Sequence, residues 1–280
     1  MMWNPLGMAS NPTIARRALG TALRNLREAK NITRTEAGAA IGYSHQTIQR
    51  IEEGSQLTRE LQVDGLCNLY GPPLHIRREL LEYARRSAQR GWWEPHKAGA
   101  PPQVRAFVET EAEMTHLRTL ELEHVPALLQ TDGYLRAVQQ VLLPLPDDAV
   151  QAVRELRQQR QRNVFKRTGR DAPRLNFLIG RHALMYLDDL GDVGREQIEH
   201  MRKVSVMPNV TVRVLTKLHP AMLCAFTILT PGPPLPGRPF VFLEAVDGGR
   251  YEEQNDVVSL YERTFEAAQT MGTPLEEYLT

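Results

Sequence analysis

His45, Gln46, Gln49 and Arg50 lie within six residues and are spaced to share one side of a helix. Their side chains suit base edges in a DNA major groove. A glutamine amide can pair with N6 and N7 of adenine, and a guanidinium with O6 and N7 of guanine. Ile48 and Ile51, three residues apart, supply the opposite, apolar side that would anchor such a helix to a core. Ser44 has the type and position of the helix N-cap.

These residues need a second helix set steeply against their own. The stretch ITRTEAGAAIGYSHQTIQRIEEG, residues 32 to 54, supplies one. Thr33 and Glu36 have the spacing of a capping box, which predicts a helix from there to Ile41. Gly42 provides the turn, where positive φ is needed, and Gly38 leaves room where the two helices come closest. Two amphipathic helices joined by a glycine also occur in proteins that never meet DNA. Here the small residue, the glycine and the β-branched residue fall at 38, 42 and 48, followed by a Gln-rich outer face, and this favours a DNA-reading helix-turn-helix.

The surrounding pattern completes a five-helix all-α domain. Thr13 to Ala29 places Leu19, Ala22, Leu23 and Leu26 on one face; Thr58 to Tyr70 carries Leu61, Leu66 and Leu69 and ends at Gly71-Pro72-Pro73. His75 to Arg90 reads as a connector helix or part of a dimer interface. We expect the helix-turn-helix domain over 13–75, a connector and linker over 76–102, and a second domain over 103–280. The linker, GWWEPHKAGAPP, contains Trp92 and Trp93, which are expected to pack at a domain joint, with an effector site or interface as the alternative.

The 280 residues hold 34 Lys and Arg against 33 Asp and Glu, which by itself does not point to nucleic acid. Residues 1–90 hold 13 basic against 8 acidic groups and the remainder 21 against 25, so the basic excess lies on the segment with the helix-turn-helix. No apolar run approaches the roughly 18 residues of a membrane span. The start, MMWNPLGMASNP, lacks the basic-then-apolar pattern of a signal peptide, and a cytoplasmic protein is expected. Cys67 and Cys224 have no zinc or disulfide spacing, and no metal or other cofactor is expected.

Beyond residue 102 the periodicity mixes. Helices are predicted over 103–116, 133–142, 147–167, 196–206 and 257–270, and strands at Leu120–Leu122, Arg174–Ile179, Val210–Leu215, Phe226–Leu229 and Phe240–Val246. This is an α+β domain with a mixed or antiparallel sheet flanked by helices. Glu113-x-x-His116 and Glu121-x-x-His124 have a metal-ligand spacing, but they lie on one segment and the histidines are expected at the surface. The basic run Arg154, Arg157, Arg160, Arg162, Lys166, Arg167 and Arg170 is expected as a solvated helical face rather than a nucleic-acid patch. No phosphate-binding loop or nucleophile elbow occurs. No catalytic residue is assigned, and the protein is expected not to be an enzyme.

Residues 13–70 resemble the xenobiotic-response-element class of helix-turn-helix, the fold of phage repressors of the lambda and 434 type, through Thr33, Glu36, Gly42, Ser44, Thr47, Ile48, Arg50, Ile51, Glu52 and Gly54. The remainder is similar to DUF5753, the C-terminal domain of Scr1-like antitoxin-type actinobacterial regulators. Its marks are Gly91-Trp92-Trp93-Glu94, Glu111-Ala112-Glu113, VPALLQTDGYLRAV at 125–138, Arg160-Gln161 and Met207 to Val212. Two departures are Ala127, where the family usually has glycine, and His219 to Cys224 in place of a Gly-Ala-His turn. The resemblance implies base contacts by His45, Gln46 and Arg50, with Gln49 secondary, and phosphate contacts by Arg34, by Thr47 and by Ser44 with the first amides of its helix. It also implies that Arg27 and Glu52 pair to brace the first helix against the third.

The expected function is that of a sequence-specific transcriptional regulator, a homodimer on double-stranded operator DNA, governed through its C-terminal domain by a small-molecule effector or a small partner protein. The alternatives are an antitoxin-type protein that binds a small partner and regulates its own operon, and an enzyme with a fused DNA-binding module.

Overall fold

The computed structural model describes residues 14–88, 92–142, 147–232, 238–245 and 248–280. Thr13, Gly91 and Val246, expected in the first helix, the linker and a strand, lie outside them. The chain forms two compact units, one running to Glu94 and one spanning Pro95–Pro233 and Arg238–Thr280.

The N-terminal unit is the five-helix bundle that the periodicity predicts: α1 Ile14–Ala29, α2 Arg34–Ile41, α3 His45–Glu52, α4 Glu60–Tyr70 and α5 Leu74–Ala88. Leu19 and Leu23 of α1, Ile48 and Ile51 of α3, and Leu80, Tyr83 and Ala84 of α5 share one core. Helix α5, expected as a connector, is thus part of this unit. Helix α4 turns a different face inward from the one expected. Val63, Leu66, Cys67 and Tyr70 are buried, while Leu61 is 84% exposed. Spacing alone allowed either stripe, because Leu61 and Val63 sit nearly opposite and only packing chooses between them.

The second unit is built on a seven-stranded mixed sheet in the order β6-β5-β4-β1-β2-β3-β7. After α6 (Pro102–Glu113) the strand β1 (Met114–Glu121) is followed by α7 (Asp132–Leu142) and α8 (Asp147–Phe165), then β2 (Arg174–Gly180). Next come α9 (Arg181–Asp188), α10 (Asp192–Ser205), β3 (Val210–Leu215), β4 (Phe226–Pro231), β5 (Phe240–Ala245) and β6 (Gly248–Glu252). The chain closes with α11 (Asn255–Met271), β7 (Thr273–Pro274) and α12 (Leu275–Tyr278). Strands β1, β2 and β3 are parallel and are joined by helical crossovers, as parallel neighbours require. Strand β2, buried along nearly its whole length, lies between the other two.

Helices cover both faces of the sheet. On one, α11 packs Val258, Phe265 and Ala268 against Leu120, Leu178, Ile228 and Val241. On the other, Phe107 of α6 meets Phe242 of β5 with ring centroids 4.8 Å apart. Strand β1 starts at Met114, where a helix was expected to run to His116. Its polar residues obscured it. In a strand with neighbours on both edges and helices on both faces, polar side chains are held by partners from other elements: His116 with Asn176, Thr119 with Thr227, Arg118 with Glu262. His116 is therefore not the surface group expected, and burial with the Arg118 charge lowers its pKa to about 4. The described residues contain no group of three or more residues fit to hold a metal.

Candidate nucleic-acid interface

Helix α2 begins with the capping box. Thr33 Oγ1 accepts from the Glu36 amide at 3.2 Å, and the Thr33 amide donates to Glu36 Oε2 at 2.7 Å. Gly42, at φ +76°, ends it in the left-handed conformation, and the Tyr43 amide donates to the Gly38 carbonyl at 2.8 Å. A Cβ on Gly38 would collide with the Tyr43 carbonyl oxygen, so the close approach is to the turn backbone rather than to the body of the second helix. Ser44 then caps α3, accepting from the Thr47 amide at 3.3 Å, with its hydroxyl 3.1 Å from that of Thr47. Sequence reasoning passed over Gly20, whose Cβ would strike the Ile51 and Glu52 carbonyls where α1 crosses the end of α3. A small residue inside an amphipathic helix was the only available sign of that crossing.

With Ile48 and Ile51 in the core, α3 exposes His45, Gln46, Gln49 and Arg50. The side chains of His45, Gln46 and Arg50 have no hydrogen-bond or ion-pair partner among the described residues. Gln49 differs, since its amide donates to Glu53 Oε1 one turn on at 2.7 Å. Tyr43, 44% exposed in the turn beside the start of α3, was missed as a candidate contact. Its signal was an aromatic residue placed in a tight turn next to α3.

Arg27 and Glu52 meet as the resemblance implies. Arg27 donates through Nε and Nη2 to the two oxygens of Glu52, at 2.5 and 3.1 Å, and through Nη1 to the Ile32 carbonyl at 2.8 Å. That hydrogen bonding to Glu52 raises the Arg27 pKa. Arg34 joins them, its Nε donating to Glu52 Oε2 at 2.8 Å. One buried carboxylate therefore ties together α1, α2 and α3, and the two terminal nitrogens of Arg34 remain unbonded among the described residues.

The nearby Tyr70 hydroxyl is buried without a hydrogen-bond partner among the described residues, and its pKa is pushed up to about 12, first by burial and then by the Glu52 charge. An unpaired buried hydroxyl costs stability that a phenyl ring does not. Tyr70→Phe is accordingly expected to leave stability unchanged or raise it by about 1 kcal/mol in urea unfolding. A clear loss would mean that the hydroxyl has an acceptor.

In the second unit the basic run is the solvated face expected only at Arg162, Lys166 and Arg170, which are exposed, while the other four arginines bond to groups elsewhere in the fold. Arg160 is buried against Glu111, with Nε and Nη2 at 2.6 and 2.8 Å from its oxygens, and Arg154 forks onto Asp132 at 2.6 and 2.8 Å. Arg167 donates to the Ala112 and Met114 carbonyls. Each partner lies 22 or more residues away along the chain, out of reach of helical periodicity. Trp92 is half-buried and Trp93 buried.

The first unit thus has the geometry of a helix-turn-helix, and a family model described as a helix-turn-helix domain matches residues 18–80. A second family model, the domain of unknown function DUF5753, matches residues 104–277, and the chain belongs to that family. No curated protein and no solved structure matches it. No helix among the described residues is long and apolar enough to cross a membrane.

Proposed function

We propose that the protein is a sequence-specific DNA-binding transcriptional regulator that works by binding rather than catalysis, with α3 as its reading helix. The observation that carries this reading is the outward face of α3, where His45, Gln46 and Arg50 are exposed and unpartnered beside a capped helix start. In the proposed complex these three reach base edges, with Gln49 contributing once it leaves Glu53. Ser44, Thr47 and the first amides of α3 hold one phosphate, and the free terminal nitrogens of Arg34 hold another while its Nε stays on Glu52. One such helix reads few base pairs, so a homodimer on two half-sites is part of the proposal. The second unit regulates this binding, through an effector or a partner protein that discriminates between DNA-competent and incompetent states.

The test begins with genomic DNA selected and footprinted by the purified protein. On the operator so defined, Arg50→Ala is expected to cost about 1 to 3 kcal/mol and to relax the preference at one base pair. Arg34→Ala is expected instead to weaken operator and scrambled duplexes alike and to flatten the salt dependence. Undiminished operator affinity in Arg50→Ala would remove α3 as the reader.

A further inference from the structure

Arg157 differs from the arginines on either side of it on α8. Arg154 and Arg160 each fork onto a carboxylate, whereas Arg157 donates only through Nη1, to the Ala127 carbonyl at 2.9 Å and to Gln130 Oε1 at 2.5 Å. Its Nε and Nη2 have no acceptor among the described residues, and no carboxylate lies within ion-pair distance. Burial lowers its pKa to about 9, so it still carries its charge at neutral pH. The carboxylates of Glu111, Glu244 and Glu121 favour its charge only from beyond ion-pair distance, and a half-buried cation without an ion-pair partner is an expensive arrangement that an incoming anion would relieve.

Arg157 lines a cleft of about 260 Å³ bounded by the Gln130–Asp132 turn, α7, α8 and α10. His200 of α10 lines the same cleft; its Nε2 is buried without a partner among the described residues, and burial lowers its pKa. Two half-buried polar residues from different helices, both incompletely bonded, therefore line one space. Of the acidic residues in the lining, Asp132 is already bound by Arg154 and Arg136, and Glu196 is exposed. The wall is preformed. Gln161 donates to the Leu128 and Gln130 carbonyls at 3.1 and 2.8 Å, and Gln197 donates to the Leu129 carbonyl while accepting from the Thr131 amide, both at 2.7 Å. Side-chain amides thus hold the 128–131 segment in place before any ligand arrives, which lowers the ordering cost of binding.

We propose that this cleft binds a small organic anion whose carboxylate or phosphate docks on the unoccupied N–H groups of Arg157, with Gln158 and His200 facing the rest of the molecule. The volume lies just under the range of about 300 to 1,000 Å³ common for ligand pockets and selects a compact ligand. The site gives a chemical class to the effector of the regulatory reading above. Its test uses no DNA, so its failure and the failure of that reading are separate results.

Calorimetric titration of the full chain at constant ionic strength, with inorganic phosphate, glycerol 3-phosphate, acetate and succinate, and with glycerol as the uncharged control, tests the site. At least one anion is expected to bind saturably at one per chain, the phosphate and carboxylate arms showing which head group is preferred, and glycerol is expected not to bind. Arg157→Gln should weaken that anion on the order of 10- to 100-fold, the loss of charge-assisted hydrogen bonds. Gln158→Glu, which adds a negative charge to the wall and leaves the arginine in place, should weaken it as well and decides the matter if Arg157→Gln does not fold. Arg170→Gln, on an exposed residue outside the cleft, should bind as the native chain does. Absence of saturable binding by all four anions, or unchanged affinity in a folded Arg157→Gln or in Gln158→Glu, would overturn the proposal.

Discussion

Glu52→Gln is expected to destabilise the N-terminal unit by about 3 to 5 kcal/mol, the usual cost of stranding a buried charge. Glu52 is the common acceptor for Arg27 and Arg34, and the Arg27 side chain is only 9% exposed. Without the carboxylate, Arg27 keeps its charge with only the Ile32 carbonyl at 2.8 Å and the half-exposed Glu28 carboxylate, 3.3 Å from Nη2, as its remaining acceptors. Arg27→Met is expected to cost less. It loses the Ile32 contact, but Glu52 retains Arg34 at 2.8 Å. The double change Arg27→Met with Glu52→Gln should recover part of the Glu52→Gln loss, giving a coupling well above the ~0.5 kcal/mol scatter of independent sites. Hydrogen exchange of α1 and α3 amides in the full chain reports this unit apart from the sheet. Additive losses across the cycle would show that the pair is not the brace.

The second large effect is a pH dependence in the sheet domain. Glu121 ends β1 and Glu244 lies near the end of β5, two strands away and running in the same direction. Burial first, and then the neighbouring Glu244 charge, push the Glu121 carboxyl up to about 8. A carboxyl whose folded pKa lies above its unfolded value favours folding below about pH 4.5, and that contribution is lost as the pH rises through 8. Glu121→Gln removes the dependence. Its stability relative to the native chain should be nearly constant below about pH 4 and climb to an advantage of about 5 kcal/mol by pH 9, read from urea midpoints. His116, with its lowered pKa, acts in the opposite sense, adding stability above pH 6.5 that is lost as the pH falls toward 4, and it cancels in this comparison. A pH-independent difference between the two proteins would mean that Glu121 ionises normally.

How much of this was readable in advance follows from the range of the interactions. The capping box at Thr33, the turn at Gly42 and the cap at Ser44 each rest on contacts within a few residues, so residue types at set spacings specify them. The buried stripe of α1 was legible for the same reason, and so was the outward face of α3, which is what Ile48 and Ile51 leave exposed. The strands β2 and β3 were legible as nearly continuous or alternating apolar runs. Strand β1 was only half legible. His116, Arg118 and Thr119 are satisfied by partners on β2, α11 and β4, and no local pattern announces such partners.

Sequence by itself determined a five-helix N-terminal unit with a helix-turn-helix and an exposed polar face at 45–50, and a second unit of helices and strands, because those properties follow from helical and strand periods and from short-range caps. Only the tertiary structure decided the mixed strand order and the inward face of α4, and only it showed Glu52 bonded to Arg34 as well as Arg27. The α8 arginines make the difference plainest. Arg154, Arg157, Arg160 and Arg162 look alike in sequence, yet Arg160 is buried on Glu111, Arg154 is held by Asp132, Arg162 is exposed, and Arg157 faces a cleft without an ion-pair partner. The physical reason is that the environment of a charge is set by groups that folding brings from 22 to 49 residues away, and periodicity along one helix carries no information about them.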